Sequence, residues 1–397
     1  MNIKKLSDEI GPEAIYEFKL PNNVSGVIVL DNSNLGPTIG GVRINDSGSV
    51  EKDFMLARRM TLKCALAGIN YGGAKTTIIY DRQKTDAHPE FRKEIMTQFA
   101  EKVLSRFAHE DPNDPTSKPV YIPGPDMGTS ESDMDLIYAI TGVASGRSPE
   151  KGGIPIDKLG FTAQGMVAGL EQFMEHGIVD FDLKGAKISI EGFGNVGRPF
   201  AEILQKKGAT IVGVSDANGM VYNGSGLDLH ELSIAKDTYG SSSFLQVYEK
   251  LDSGATFDAD PLNLHKLESD IFAPAATQNT VNMDNVGTLN TKLIIEGANN
   301  PVSVEAENFL YYKKGIISIP DFLINSGGLI GCVSDVEGLS ADDALERVLN
   351  TVPIQTKAVF DRVTSGDQQL TPRKVAEDLA LERVFQERTN KTMEHVP

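Results

Sequence analysis

Residues 55–80 read MLARRMTLKCALAGINYGGAKTTIIY and carry two lysines twelve positions apart. Leu56, Met60, Lys63 and Ala67 follow the spacing of one helical face, so the first half of the stretch is predicted to be a helix. Lys63 therefore lies on the apolar stripe of that helix. Burial removes the hydration of an ammonium group, so a lysine at such a position indicates a bound anion.

The second half of the same stretch has the pattern of a strand. Gly68 and the pair Gly72-Gly73 end the helix, and Lys75 opens the run TTIIY at 76–80, which is rich in β-branched side chains. Glycines have no side chain, so the pair before Lys75 allows a ligand to approach the backbone closely.

Three interpretations of the two lysines compete. The first is a pair of solvated lysines whose stems lie along apolar surface at a helix end. The second is a phosphate-binding loop, which we reject because Ala74 follows Gly73 and the lysine comes one position too late for G-x-x-x-x-G-K-[ST]. The third is a small-molecule site in which one lysine binds a carboxylate and the other performs acid–base chemistry, each lowering the pKa of the other by repulsion.

Composition restricts the class of protein. The 397 residues, with 40% hydrophobic content and 38 glycines, are typical of a globular α/β protein of more than one domain. A formal charge of −17 argues against nucleic acid or an anionic membrane as a partner, since no basic surface is available. Cys64 and Cys332 are the only cysteines and no H-x-x-x-H pair occurs, so neither a disulfide framework nor a metal site is predicted. No signal core and no run of about 18 apolar residues is present, so we expect a cytoplasmic protein.

A rigid loop presents a single carboxylate further along the chain. The apolar run at 120–122 leads into Pro123-Gly124-Pro125, whose prolines restrict the backbone directly before Asp126. Such a loop can hold an acid or a base at a fixed position. An aspartate that forms a turn or caps a helix has the same pattern, so the residues alone leave both interpretations open.

A dinucleotide-binding fingerprint occupies residues 187–216. The strand KISIE at 187–191 is followed by Gly192-Phe-Gly194-Asn195-Val196-Gly197, a helix, and a second strand that ends at Asp216. The glycines allow a pyrophosphate to approach the helix N-terminus, and the acid can bind a ribose diol. Asp216 favours NAD, because its charge would repel a 2′-phosphate and residues 217–222 contain no arginine or lysine; NADP is not excluded.

Further strand-like runs, at 270–273, 293–296 and 316–319, continue the β–α rhythm of an open parallel sheet. Ligands of such sheets bind beyond the carboxyl ends of the strands. Ordinary turn chemistry is the alternative explanation for the polar and glycine residues found there. The candidate ligand contacts after these strands are Ala275, Asn299, Asn325, Gly327 and Gly328.

Six motifs together resemble the glutamate/leucine/phenylalanine/valine dehydrogenase family, from about residue 30 to the C-terminus. The resemblance implies oxidative deamination of an L-amino acid to a 2-oxo acid and ammonia, with hydride transfer to NAD. The motifs are Met60-Thr-x-Lys63, Gly72-Gly-Ala-Lys75, Pro125-Asp126-x-Gly128, Gly192-x-Gly-Asn-Val-Gly197, Gly297-Ala-Asn299 and Asn325-x-Gly-Gly328.

The resemblance also implies a role for each matching residue. Lys63 would bind the substrate α-carboxylate together with Asn325. Lys75 would activate the water that attacks the imino acid, and Asp126 would exchange protons with the amino group and ammonia. Burial beside another cation would keep Lys75 neutral enough to act as a base. The residues expected to line the site beside substrate and nicotinamide are Gly40, Gly41, Thr162 and Asn299.

Four positions indicate which side chain the substrate carries. Glutamate-specific members have a lysine directly before the first glycine pair and a serine on the helix after the later asparagine, where this chain has Ile39 and Cys332. A buried carboxylate without partners is costly, so glutamate should be rejected. Gly124 and Leu329 resemble the phenylalanine-type branch more than the leucine and valine types, and the missing methyl at Gly124 makes room for an aromatic ring.

The expected fold is α/β with two domains. Residues 1–150 would form an N-terminal α/β domain for substrate binding and oligomerisation, completed by C-terminal helices at 353–397. Residues 151–352 would form a Rossmann-type, doubly wound dinucleotide-binding domain, with the boundary in the glycine- and proline-rich segment 146–159. Because family members are homo-oligomers, the resemblance also implies a homo-oligomer.

Two alternatives remain at this stage. The first is a glutamate dehydrogenase that binds the distal carboxylate through residues other than Ile39 and Cys332. The second, from a different class, is a regulator that binds a nicotinamide without turnover. The presence of Lys63, Lys75 and Asp126 argues against the regulator, because a sensor needs neither a base nor an acid.

Overall fold

The computed structural model describes residues 8–111, 113–114, 116–241, 243–366 and 370–394. Two compact units are present. The first contains residues up to 156 together with 329–344 and the chain from 377 onward, and the second contains 157–328 and 345–376. Each unit is built on a sheet of its own covered by helices, so the predicted two-domain α/β class is confirmed.

Five strands form the mixed sheet of the first unit: β1 (Ala14–Lys19), β2 (Ser25–Asn32), β3 (Thr38–Asn45), β4 (Gly72–Ile79) and β5 (Tyr121–Pro125). Their order is β1-β2-β4-β3-β5, with β3 parallel to β4 and β5, and β2 antiparallel to β1 and β4. The helices before the unit boundary are α1 (Val50–Leu66), α2 (Arg82–Ala87), α3 (Pro89–Lys102) and α4 (Glu131–Thr141).

Helix α1 packs against one face of β4, and this contact explains the glycines before Lys75. A Cβ atom on Gly73 would lie 2.2 Å from the carbonyl oxygen of Ala57 and 2.3 Å from the amide nitrogen of Thr61. Only glycine allows the helix and the strand to approach so closely. Side chains alternate along a strand, so Gly73, Lys75 and Thr77 share the face that α1 covers. The strand therefore begins at Gly72, three residues earlier than predicted.

The opposite face of this sheet carries the larger apolar core of the unit. Ala74 and Ile78 of β4 are fully buried there, in one cluster with Phe99 of α3 and Ile137 of α4. A smaller cluster under α1 contains Val29 and other β-branched side chains. The sheet is buried on both faces, and every position of its central strand β4 from Gly72 to Ile78 is buried.

Seven strands form the sheet of the second unit: β6 (Lys187–Glu191), β7 (Thr210–Asp216), β8 (Gly219–Tyr222), β9 (Thr256–Asp258), β10 (Ile271–Pro274), β11 (Leu293–Ile295) and β12 (Ile317–Ile319). Their order is β12-β11-β10-β6-β7-β8-β9; the first five are parallel, whereas β8 and β9 are antiparallel additions at one edge. The helices between Phe161 and Ile324 are α5 (Phe161–Met174), α6 (Gly197–Lys206), α7 (Leu229–Tyr239), α8 (Phe244–Leu251), α9 (Val304–Phe309) and α10 (Asp321–Ile324).

Three helices complete the chain: α11 (Gly327–Val336), α12 (Ala341–Ser365) and α13 (Pro372–Glu394). The predicted domain boundary at residue 150 is close to the observed change after 156, but the C-terminal assignment differs. Residues 345–376 pack in the second unit, because Gly165 and Gly169 of α5 let Val352 of α12 approach, and residues 329–344 pack in the first. Within the described part of the chain, no helix is both long and apolar enough to cross a membrane.

Candidate functional site

An ion group joins β3, β4 and the loop after β5; its lysine is buried, and its arginine and aspartate are partly exposed. Lys75 is only 7% exposed, and its ammonium group contacts the carboxylate of Asp126. Arg43, on β3, binds the same carboxylate through Nη2 at 3.2 Å and Nε at 3.3 Å from Oδ2. The two residues predicted to perform proton transfer, Lys75 and Asp126, are thus brought together across 51 positions of sequence.

The loop that carries Asp126 is fixed by β3. The amide of Asp126 donates to the Thr129 hydroxyl at 2.9 Å, and that hydroxyl donates to the carbonyl of Val42 at 2.7 Å. Gly128 has φ +78° and a Cβ there would lie 2.6 Å from the carbonyl oxygen of Ile44, so only glycine fits. Ser130 and Asp133 then cap α4, whereas Asp126 itself binds the two cations.

Gly41 gives this ion group its space. A Cβ atom at Gly41 would lie 2.7 Å from Cβ of Asp126 and 3.0 Å from Nζ of Lys75. Gly40 faces the other side, where a Cβ would lie 1.8 Å from the carbonyl oxygen of Ala74. Of the predicted glycine pair, Gly41 therefore borders Lys75 and Asp126, and both positions exclude larger residues for a steric reason.

The electrostatic surroundings make Lys75 suitable as a base. Burial lowers its pKa to about 7, the positive charges of Arg43 and Lys63 lower it too, and the charge of Asp53 opposes this effect. The contact with Asp126 makes proton exchange a property of the pair rather than of one group. A neutral amine is therefore accessible near neutral pH.

Lys63 lies in the last turn of α1 and is 7% exposed. The end of that helix is held by Arg383 of α13, which donates to the carbonyls of Cys64, Ala65 and Ile69 at 2.9–3.3 Å. A guanidinium at a helix C-terminus binds carbonyls that have no helical partner and complements the helix dipole. Lys63 is thus presented by a helix end whose position is fixed.

Of the four positions predicted to contact the substrate side chain, two lie on the same sheet and two on helix α11. Ile39 is 2% exposed. It is two residues before Gly41 on β3, so both residues lie on the sheet face that carries Lys75. Gly124 is paired with Gly41 in the parallel ladder, and a Cβ there would meet only the hydroxyl of Ser145, at 2.7 Å. Leu329 and Cys332 are half-buried, three positions apart on α11, and therefore share one side of that helix.

In the second unit, the fingerprint glycines form the turn that their spacing predicted. Gly192 has φ +93° and a Cβ there would lie 2.9 Å from the backbone of Ala276, and a Cβ on Gly197 would lie 1.9 Å from the carbonyl oxygen of Gly192. Gly194 has open space around it. Val196 precedes the first turn of α6, and Asn195 donates to Asp157 at 2.9 Å. The turn leaves room for a phosphate at the start of α6.

Asp216 is the last residue of β7, and only one of its two carboxylate oxygens makes a hydrogen bond within the described residues. Its Oδ1 accepts from the amide of Asn218 at 2.7 Å, whereas its Oδ2 is buried and makes no hydrogen bond within the described residues. Lys236 of α7 comes close enough for the two charges to interact; it donates to the carbonyl of Phe193 and lies 4.9 Å above the ring of Phe244. Inspection of residues 217–222 missed this cation, because it follows Asp216 by 20 positions.

The remaining predicted cofactor residues gather at the carboxyl ends of β10, β11 and β12. Asn325 donates to the carbonyl of Gly297 at 3.1 Å and to Oδ1 of Asn299 at 3.4 Å. Ala275 borders Gly297, where a Cβ would lie 2.9 Å from Cβ of Ala275, and a Cβ on Gly328 would lie 2.8 Å from the Thr162 hydroxyl. These residues therefore form one neighbourhood at the edge where ligands of parallel sheets bind.

A buried arginine supports the loop that carries Asn299. Arg373, at the start of α13, donates from Nη2 to both oxygens of Glu296 at 2.7 and 2.8 Å and contacts Glu307 and Asp321. All four side chains are at most 3% exposed. Burial and the other two carboxylates raise the pKa of Glu296 to about 7, although Arg373 lowers it. The local sequence gives no sign of this role, because the three carboxylates precede Arg373 by 52 to 77 positions.

The second unit fits a nicotinamide dinucleotide on its own geometry. Three observations agree: the open space at Gly194, the unpartnered buried oxygen of Asp216, and the close approach between Gly192 and the next strand end. A phosphate needs backbone amides at a helix start, and a ribose diol needs a carboxylate acceptor. Both are available at the carboxyl end of one parallel sheet.

Comparison with known proteins identifies both parts of the chain. The family model described as glutamate/leucine/phenylalanine/valine dehydrogenase matches residues 152–391, and its dimerisation domain matches 12–142. Leucine dehydrogenase from Bacillus cereus is 27% identical over 373 residues, which cover 92% of this chain and 87% of the relative. NAD-specific glutamate dehydrogenase from Staphylococcus aureus is 31% identical over 307 residues, covering 75% and 68%.

The fold agrees with these matches. The solved structure of the hetero-hexameric glutamate dehydrogenase from Thermus thermophilus, in its Leu-bound form, has a TM-score of 0.80 and 26% identity, and the match covers 95% of this chain and 89% of that one. The sequence motifs, the two sheets and the family models all point to the same class. The chain therefore belongs to the glutamate/leucine/phenylalanine/valine dehydrogenase family and is an amino acid dehydrogenase.

Proposed function

We propose that this chain catalyses the reversible oxidative deamination of an apolar L-amino acid, phenylalanine before leucine or valine, to the 2-oxo acid and ammonia with NAD. The observation that carries the proposal is the contact of the buried Lys75 with the partly exposed Asp126, because it provides a base and an acid in one place. A protein that only sensed a nicotinamide would have no need to hold this pair out of water.

The residues of the first unit supply binding and proton transfer in this proposal. Lys63 binds the α-carboxylate of the substrate, since a buried ammonium is stabilised by an anion. The neutral amine of Lys75 takes a proton from the water that attacks the imino acid, and Asp126 exchanges protons with the departing ammonia. Arg43 holds the carboxylate of Asp126 beside the amine of Lys75.

The residues of the second unit hold the cofactor in this proposal. The turn at Gly192–Gly197 binds the pyrophosphate and Asp216 binds the ribose diol, while Asn299 and Thr162 lie beside the nicotinamide. Bound NAD supplies the acceptor for the hydride. Orientation and electrostatics are the contributions of the protein.

The choice of an apolar substrate rests on the absence of a cation at Ile39. That side chain is buried on the face of Lys75, two residues before Gly41, which pairs with Gly124 in the ladder of β3 and β5. A distal carboxylate placed there would lose its hydration without gaining a partner. Glutamate is the second candidate substrate, favoured by the 31% identity to the NAD-specific glutamate dehydrogenase of Staphylococcus aureus.

The test is reduction of NAD, and separately of NADP, followed at 340 nm across a panel of L-amino acids at pH about 9–10, where a lysine base is neutral. We expect phenylalanine, leucine or valine to give the highest kcat/KM and glutamate to give a value at least about tenfold lower. Glutamate as the best substrate would contradict the assignment of Ile39. Failure of every amino acid to reduce either cofactor would contradict the proposed activity.

The choice of cofactor is tested at Asp216. We expect Asp216→Ala to raise the ratio of kcat/KM with NADP to that with NAD by at least about tenfold, since the repulsion of a 2′-phosphate is removed while Lys236 remains. Asp237→Ala is the matched control: this exposed carboxylate next to Lys236 pairs with Arg198, and its loss should leave the ratio unchanged. An unchanged ratio in Asp216→Ala would refute the role of Asp216.

The assembly proposed is a homo-oligomer. Two findings support this: the name of the dimerisation-domain model that matches residues 12–142, and the hetero-hexameric state named for the relative from Thermus thermophilus. The number of subunits is not part of the proposal.

A further inference from the structure

A second carboxylate, Asp53 of α1, is buried behind the site. Asp53 is 2% exposed, and its Oδ1 accepts a hydrogen bond from the Thr77 hydroxyl at 2.6 Å. Its other oxygen, Oδ2, makes no hydrogen bond within the described part of the chain. A carboxylate in this state is costly unless it interacts with a cation, so a structural role as the partner of one hydroxyl does not explain it.

The packing of α1 against β4 sets the place of Asp53. Gly73 lies against Ala57 and Thr61, and Thr77 binds Asp53. The five strand residues from Gly73 to Thr77 therefore run alongside about two turns of α1, in the opposite direction. Lys75 is midway between Gly73 and Thr77 and shares their face. The side chain of Lys75 therefore projects from the sheet toward the turn of α1 that is next to Asp53.

The same register brings Arg43 to this carboxylate. Arg43 is paired with Thr77 in the parallel ladder of β3 and β4, so the residue that binds Asp53 is the direct neighbour of Arg43. The charges of Lys75 and Arg43 both favour the ionised form of Asp53, which burial disfavours. Lys75 and Arg43 therefore interact with two carboxylates: Asp53 of α1, which covers this face of the sheet, and Asp126 in the loop after β5.

The charged groups around Lys75 come from every element packed against it. The cations are Arg43 from β3 and Lys63 from α1, and the carboxylates are Asp53 from α1 and Asp126 from the loop after β5. The Tyr121 hydroxyl of β5 binds Thr76 and so lies on the opposite face of the sheet. With Lys75 charged, three cations face two carboxylates; without Asp53, three cations would face one.

We propose that Asp53 is a positioning residue for the proposed reaction: its buried carboxylate, held by Thr77, places a fixed negative charge behind Lys75 and Arg43 and sets the pH at which Lys75 releases its proton. The proposal rests on the proposed role of Lys75 as a base. Asp53 opposes the effects of burial, Arg43 and Lys63 on the pKa of Lys75, so it keeps the amine from losing its proton too early. Such an amine can both accept and return a proton near neutral pH.

The first test is the pH profile of Asp53→Asn. Asparagine keeps the shape of the side chain and an oxygen that accepts from Thr77, but removes the charge. Loss of the charge lowers the pKa of Lys75, so the rise of kcat/KM with pH should move at least about 0.5 unit to lower pH. At pH values well below the rise, kcat/KM as a fraction of its maximum should therefore be about threefold higher than in the parent. A rise at an unchanged pH would overturn the proposal.

The second test does not depend on activity. Parent and Asp53→Asn proteins are treated with a trace of acetic anhydride at a series of pH values, and acetylation of the peptide that contains Lys75 is measured by mass spectrometry. Only the neutral amine reacts, so the midpoint of the curve reports the pKa of Lys75. We expect the midpoint to fall in Asp53→Asn by the same shift as the pH profile.

Asp31→Asn is the matched control. Asp31 is also fully buried and also held by a threonine of α1, Thr61 at 2.6 Å, but it pairs with Arg58 at 2.8 Å rather than with the site. We expect a loss of stability in this variant without a shift of either curve. If the parent is inactive but the labelling midpoint still falls in Asp53→Asn, the proposed function fails, whereas the effect of the Asp53 charge on the pKa of Lys75 stands. If the parent is active and neither curve moves, the role of Asp53 fails.

Discussion

Replacing Lys75 with alanine is expected to lower kcat for oxidation of the preferred amino acid by about 10²–10⁴-fold, the usual contribution of a positioned general base. This corresponds to roughly 3–5 kcal/mol of transition-state stabilisation. Binding of the reduced cofactor, followed by its fluorescence, should be unchanged, because Lys75 belongs to the first unit and the fingerprint to the second. In the parent, kcat/KM should rise with pH through about 7, where Lys75 becomes neutral.

The role of the amine itself is checked by adding it back. Ethylamine should restore part of the rate of Lys75→Ala, and the restored rate should depend on pH as a free amine does. Lys93→Ala, on α3, is the control, since that residue is exposed and lies outside the ion group; its kinetics should match the parent. A Lys75→Ala variant that kept more than about a tenth of the parent kcat would show that another group is the base.

Replacing Arg373 with methionine is expected to lower the free energy of unfolding by about 3–5 kcal/mol, measured by urea denaturation at pH 8. Three buried carboxylates, Glu296, Glu307 and Asp321, would remain without their shared cation. Removing one member of a buried ion group leaves an uncompensated buried charge. The cost of that charge is larger than the net stabilisation that the intact group provides. Only a few single substitutions have effects this large.

The pH dependence of this loss has a defined sign. The folded-state pKa of Glu296 is about 7, above its ordinary value of 4.5, so ionisation of this group lowers stability as the pH rises between those values. Arg373 lowers the pKa of Glu296, so without Arg373 this group binds a proton more readily in the folded protein and the deficit should be smaller at pH 6 than at pH 8. Glu307→Gln added to Arg373→Met should recover part of the loss.

Arg362→Met is the matched control for this experiment. Arg362 is an exposed arginine of α12, and its replacement should change stability by less than about 0.5 kcal/mol at either pH. An equal deficit of Arg373→Met at both pH values would contradict the electrostatic explanation, and a deficit no larger than that of the control would contradict the structural role of Arg373.

Local patterns were sufficient for the elements that carry the motifs. The spacing around Lys63 predicted α1, the β-branched run after Lys75 predicted most of β4, and the fingerprint of 187–216 predicted strand, turn, helix and strand in order. These predictions succeed because helix and strand periods are read from neighbours in sequence. Strand β3 escaped prediction because its two glycines, which reduce strand propensity, are required by contacts with β4 and with Asp126.

Residues without a local pattern could not be predicted. Arg43 is two positions after Gly41, but its contact with Asp126 depends on the pairing of β3 with β5. Lys236 and Arg373 come from helices far along the chain from the strand ends where they act. Asp53 reads as an ordinary acidic residue in the first turn of a helix. Only a three-dimensional contact distinguishes each of these from an exposed charge.

The sequence by itself determined the family and the two-domain α/β class, and it predicted which lysines, aspartates and glycines form the candidate site. Motif spacing is a local property and needs no knowledge of packing. The tertiary structure alone decided that Lys75 and Asp126 are in contact. It also decided to which unit each segment of the C-terminal helices belongs. It also decided which charges surround the base. The physical reason is that a pKa depends on burial and on charges within a few ångströms, and folding brings those together from distant parts of the chain.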